Sequence, residues 1–182
     1  MRLKSEHQQR VEAFMALAAG VQVAKGMELT QDVPEVPTEP SIEVRILRAK
    51  LIFEEAMETI AKGLGVGIVV SGTKGWIPLN YHLMANMEEP EFKFAMEWDF
   101  DMTETIDGCC DISVVTTGTL SACGVPDEPF LNIVDKNNID KYGPGCTIRE
   151  DGKVIKPPGH KAPDIHGLLA SLYHPEFGSE VQ

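Results

Sequence analysis

The chain has 182 residues, 43% of them hydrophobic and 24% charged, with a formal net charge of −12. That length buries one good core rather than two, so a single domain over residues 1–182 is expected. The acidic balance excludes a broad basic surface for duplex nucleic acid or anionic lipid, and the longest apolar stretches, such as Val66-Gly67-Ile68-Val69-Val70, fall far short of a bilayer span.

The amino terminus, Met1-Arg2-Leu3-Lys4, has the basic start of a secretion signal without the apolar segment or cleavage site that should follow. A cytoplasmic protein with no membrane partner is the expectation. Residues 5–25 carry helical periodicity, with Val11, Phe14, Met15, Leu17 and Ala18 on one side and Gly26 as a stop. The proline-punctuated run from Asp32 to Pro40 cannot be helix and reads as an extended connector.

Ser41 caps a second helix over residues 41–63. At 100° per residue, Ile46, Ala49, Phe53, Met57, Ile60 and Leu64 make an apolar stripe expected to face the core. A second line runs Leu47, Leu51, Glu54, Glu58, with Glu55 at its edge, while Arg48, Thr59 and Lys62 represent the solvent face. From residue 63 to 99 glycines bound β-branched residues, which predicts an irregular or β-hairpin insert, with weaker helical turns at Tyr81 to Ala85 and Pro90 to Phe94.

A third helix over residues 103–123 ends at Gly124 with Pro126 beyond, and Asp101 three residues before Glu104 resembles a capping box. Glu104, Asp107 and Asp111 share one line of it, whereas Ile106, Cys109, Ser113 and Leu120 lie opposite. A fourth helix from Glu128 to Asn138 precedes a tail of turn residues, read as loops with a possible hairpin around Asp151-Gly152. The four cysteines, at 109, 110, 123 and 146, show neither metal-finger nor CxxC spacing and read as free buried thiols.

No Lys or Arg occurs between Lys93 and Lys136, yet Glu104, Asp107 and Asp111 stand three and four residues apart, where like charges repel. If that line packs against Glu54 and Glu58, up to five carboxylates converge in a partly dry site, which requires a cation or proton uptake. Magnesium, a hard ion that prefers carboxylate and water oxygens, meets the requirement, and manganese could substitute. Taken singly, each acidic line has a plainer explanation. Glu-rich helix surfaces are ordinary, and acids at a helix amino terminus favour the macrodipole, although Asp111 lies two turns in.

Glu55-x-x-Glu58 followed by Glu104-x-x-Asp107 resembles the ExxE…ExxD signature of the MazG-like, all-α nucleotide pyrophosphohydrolases, the superfamily of phosphoribosyl-ATP pyrophosphohydrolases and dimeric dUTPases. Asp107-Gly108-Cys109-Cys110-Asp111-Ile112 with Gly118-Thr119 is similar to the DAxxDxxYxxxGT helix of one bacterial and phage branch. Lys136-Asn137-Asn138-x-x-Lys141 resembles its SNMSK segment, and Asp151-Gly152-Lys153-Val154-x-Lys156 with Ala162-Pro163-Asp164 its DGKVxK…PPD ending. The likeness covers about residues 8–60 and 100–166. Two departures are the long glycine-rich connection at 63–99 and Ser113-Val114 where an aromatic is usual.

The resemblance implies an all-α helical bundle and hydrolysis of a nucleoside triphosphate, a deoxynucleotide being favoured, to a monophosphate and pyrophosphate. It implies Glu55, Glu58, Glu104 and Asp107 as metal ligands, with Glu54 or Asp111 completing the shell and whichever of Glu54 and Glu55 is unligated as general base. Lys141, Lys153 and Lys156 lie in loops able to neutralise the leaving pyrophosphate, and Asn138 could read base or ribose. Few helices with apolar sides left over predict a homodimer or homotetramer.

Two other readings compete. Asp99-Phe100-Asp101-Met102-Thr103 matches the DxDxT motif of haloacid-dehalogenase-type phosphatases, which belongs at the end of a buried parallel strand. A non-enzymatic acidic helical partner module is the other. Gly63-Leu64-Gly65-Val66-Gly67 follows a helix and lacks the Lys-Ser/Thr of a phosphate loop.

Overall fold

A computed structural model of the chain describes residues 3–28, 31–70, 92–149 and 154–173. The described chain is predominantly helical, with two small antiparallel strand pairs. In order come α1 (Glu6–Ala24), α2 (Ile42–Glu58), a π-helical turn (Thr59–Gly63), β1 (Val66–Val70), β2 (Phe92–Met96), α3 (Met102–Ala122), α4 (Asp127–Asp140), β3 (Thr147–Ile148), β4 (Val154–Ile155) and α5 (Ile165–Tyr173). No single described helix is long and apolar enough to cross a membrane. The residues group into two compact units, Met1–Arg45 with Thr117–Gln182, and Ile46–Thr116.

In the first unit, the Ser5 hydroxyl caps α1 by accepting from the Gln8 N–H at 2.9 Å, and Gly26 ends the helix at φ 63°. Val11 and Met15 are buried as expected, but Phe14 and Leu17 from the same predicted stripe are exposed. The buried side of α1 is continued by the polar Gln8, held by the end of α3 and the start of α4. The connector forms neither helix nor strand and bends at Glu35-Val36, and its Thr38 N–H donates to the Cys123 carbonyl at 3.0 Å. Gly124, at φ 69°, lets the Val36 carbonyl approach closer than any side chain would permit.

The tail differs from its predicted loops. Ile165–Tyr173 is a helix, α5, whose start Asp164 caps by accepting from the Gly167 N–H at 2.8 Å. β3 and β4 pair antiparallel, Thr147 opposite Ile155 and Ile148 opposite Val154, as a hairpin around Asp151-Gly152 requires, although the turn itself lies outside the described residues.

In the second unit β1 and β2 pair antiparallel, from Val66 opposite Met96 to Val70 opposite Phe92. This is the predicted hairpin-like insert, and it replaces the helical turn expected at Pro90 to Phe94. The turn at Tyr81 to Ala85 lies outside the described residues. Gly65, at φ 66°, accepts at its carbonyl from the Glu97 and Trp98 N–H groups, and the Gly63 carbonyl accepts from Asp101 N–H at 2.9 Å. The strand pair thereby returns the chain to the end of α2 and starts α3 beside it. The Asp101 carboxylate caps α3, accepting from Thr103 and Glu104 N–H groups at 2.8 and 3.1 Å.

The expected orientation of α2 is met only in part: Met57 and Ile60 of the core stripe are half-buried and Lys62 is exposed, but other positions are exchanged. Arg48 and Thr59, assigned to solvent, are buried at 6% and 7% exposure, whereas Ile46 and Phe53 of the predicted core stripe are 50% and 58% exposed. Packing explains the choice. Thr59 satisfies its own hydroxyl by donating to the Glu55 carbonyl at 2.7 Å, so it can be buried without a lost hydrogen bond. That internal bond accompanies the change from α to π winding, in which Leu64 N–H donates to the Thr59 carbonyl five residues back, at 3.0 Å.

Candidate functional site

Two glycines let α2 and α3 approach. A Cβ on Gly63 would stand 2.7 Å from the Thr105 Cα, and one on Gly108 would strike the Thr59 side chain. Thr59 and Gly63 on one element thus meet Thr105 and Gly108 on the other, backbone close to backbone. The residues flanking that seam are the acidic ones.

They line a single cleft of about 120 Å³, walled by Glu55, Glu58, Thr59 and Lys62 from α2 and its π turn, and by Glu104, Asp107, Gly108 and Asp111 from α3. All five residues expected to ligate a metal therefore lie together. Glu54, expected to serve as base or ligand, is exposed and outside the lining. It still acts on the site. Burial, then the charges of Asp111, Glu54 and Asp107, hold the Glu55 carboxyl above its ordinary range, with Lys62 opposing them. Glu55 thus registers the acids of both helices, the electrostatic counterpart of the shared cleft.

As they stand, no three of the described Asp, Glu, His or Cys side chains converge on one point as a metal-ligand group. Glu58 is engaged instead by the ammonium of Lys62, four residues on. The donor set fits a hard divalent cation by chemistry, since it offers carboxylate oxygens and neither imidazole nor thiolate.

The residues assigned to the nucleotide belong to the other unit, and Lys153 lies outside the described residues. There the Lys141 ammonium donates to the Asn138 side-chain oxygen at 2.6 Å, and Lys156 is exposed. A larger groove of about 390 Å³ in that unit, lined by Val36, Pro37, His166, Leu169, Ala170 and Tyr173, holds no carboxylate and offers no comparable chemistry.

Other expectations resolve locally. The carboxylate of Asp101 is committed to capping α3, and the strand before Asp99 pairs antiparallel, unlike the parallel strand that the DxDxT reading needs. All four cysteines are free as expected, but none is buried: Cys109 and Cys110 are exposed, Cys123 and Cys146 half-buried. Lys62, Thr59 and Gly108 are cleft residues that the sequence reading did not assign to the site. The signal for Lys62 was its spacing of four from Glu58, which places both on one helical face.

No protein-family model matches the chain, and no curated protein matches it.

Proposed function

We propose that this protein is a magnesium-dependent nucleoside triphosphate pyrophosphohydrolase of the MazG-like kind, acting on a deoxynucleoside triphosphate. The observation that carries the reading is one cleft lined by five carboxylates from two helices, with Glu55 sensing the charges of Asp107 and Asp111. The ExxE…ExxD spacing in the sequence supports it independently.

Glu55, Glu58, Glu104 and Asp107 would hold the ion, with Asp111 beside them. When bound, magnesium or manganese neutralises phosphate charge and acidifies water. Glu55 lies within the lining and would fall to the metal, which leaves the adjacent Glu54, whose charge Glu55 feels, as the general base. In the reaction water adds to the α phosphorus and its proton passes to that carboxylate. The bond from the α phosphorus to the bridging oxygen breaks, and pyrophosphate leaves with that oxygen.

The test is incubation with each nucleoside and deoxynucleoside triphosphate and magnesium, followed by product analysis. Pyrophosphate and a monophosphate in equal amounts are expected. Orthophosphate as the only inorganic product would replace this reading with a phosphatase, and no turnover of any nucleotide would favour an interaction module.

Assembly into a homodimer or homotetramer belongs to the same proposal. Ile46, Ala49 and Phe53 leave an apolar strip on α2 exposed, away from the seam with α3. Sedimentation should give a mass of two or four chains, and Phe53→Asp should lower it. A wild-type chain that sediments at 20.0 kDa would remove this part of the proposal.

A further inference from the structure

We propose that Lys62 is a resident counter-ion of the acidic cleft, competing with the divalent cation for Glu58, so that metal loading requires its ammonium to leave. The inference rests on the metal-site reading given above and concerns how that site is regulated.

Two observations lead to it. First, Lys62 is the only cation among the residues that line the cleft, facing five carboxylates. Secondly, its ammonium is bonded to the carboxylate of Glu58, one of the expected ligands. The sequence supplies α3 with no basic residue of its own, since none lies between Lys93 and Lys136.

An ammonium and a divalent cation cannot share one carboxylate without strong repulsion, and an exposed ion pair of this kind is held weakly enough to exchange. Lys62 and Glu58 side chains are 59% and 45% exposed, so the lysine can swing into solvent without moving the helix. The result is a site that stays folded when empty and fills only above a metal concentration set partly by Lys62.

The experiment is titration of the nucleotide-free protein with manganese, the bound ion being counted by electron paramagnetic resonance. Lys62→Gln should bind manganese about five-fold more tightly than wild type, the most that an exposed ion pair such as Lys62–Glu58 contributes. Lys62→Arg, which keeps the charge, should bind within two-fold of wild type. Glu58→Gln should lose most binding. If Glu58→Gln loses the ion while Lys62→Gln binds like wild type or more weakly, Lys62 does not compete and the inference is overturned with the site reading intact. Equal tightening by Gln and Arg at position 62 would also overturn it, because charge would not be the cause. If Glu58→Gln binds manganese as wild type does, the site reading itself fails and the inference with it.

Discussion

Glu58→Gln and Asp107→Asn are each expected to lower pyrophosphate release by about 100-fold or more while leaving the melting temperature nearly unchanged. The two residues line one cleft from two different helices. Each substitution keeps the shape and removes one anionic oxygen pair from a set whose proposed task is to hold a doubly charged ion. Loss of groups that merely orient metal ligands costs 10–100-fold in affinity or activity, so loss of a ligand should exceed it. The double variant should be little worse than either single one, because groups that act as one unit are not additive. Asp135→Asn, on the exposed side of α4, serves as control and should retain full turnover. Turnover in Glu58→Gln within a few-fold of wild type would remove the carboxylate cage from the mechanism.

The parts of this arrangement that depend on local signals were readable in the sequence. Asp101 and Gly124 bracket α3 as a cap and a stop, and the acidic spacing on it follows from helical geometry alone. Which side of α2 faces inward was not readable, because hydrophobicity ranks Ile46 and Phe53 above Arg48 and Thr59. At Thr59 the close backbone approach of Gly63 and Gly108 overrides that ranking, and helical periodicity carries no information about a partner helix. Apolar content also assumes that every apolar stripe has its partner within one chain.

Two elements were lost to local ambiguity. Pro90 ahead of Phe92–Met96 hid a strand whose partner, Val66–Val70, lies across the long insert. In the tail, Pro163-Asp164 stands before Ile165, Leu168, Leu169 and Leu172, a cap followed by a helical apolar pattern. The density of turn residues upstream masked it. Lys62 is exposed as expected, and its place in the cleft was missed for a different reason: a lysine can be exposed along its stem and still present its charge to acidic neighbours.

The largest stability effect should come from Gln8, which no functional argument singles out. It is fully buried, and its amide serves three partners. The nitrogen donates to the Ser121 hydroxyl at 3.0 Å and to the Val125 carbonyl at 2.8 Å, while the oxygen accepts from the Asp127 N–H at 2.8 Å. Asp127, itself 2% exposed, accepts from the Ser5 N–H at 2.8 Å and from the Ser5 hydroxyl, and Ser5 in turn caps α1 over Gln8. The amino terminus of α1, the end of α3 and the start of α4 thus close on one another through a polar knot in which each group has its partner. Removing the amide leaves the Asp127 N–H and the Val125 carbonyl unpaired, and an unpaired buried group costs about 1–3 kcal/mol. Gln8→Ala adds a cavity, for a total of about 4 kcal/mol, or roughly 10 °C in melting temperature for a chain of this size. Gln8→Met keeps the volume and loses only the hydrogen bonds, so it should fall about halfway, and the difference between the two variants measures the packing share. Thermal melts followed by circular dichroism decide it: a Gln8→Met protein that melts with wild type would mean that the knot contributes nothing beyond the space it fills.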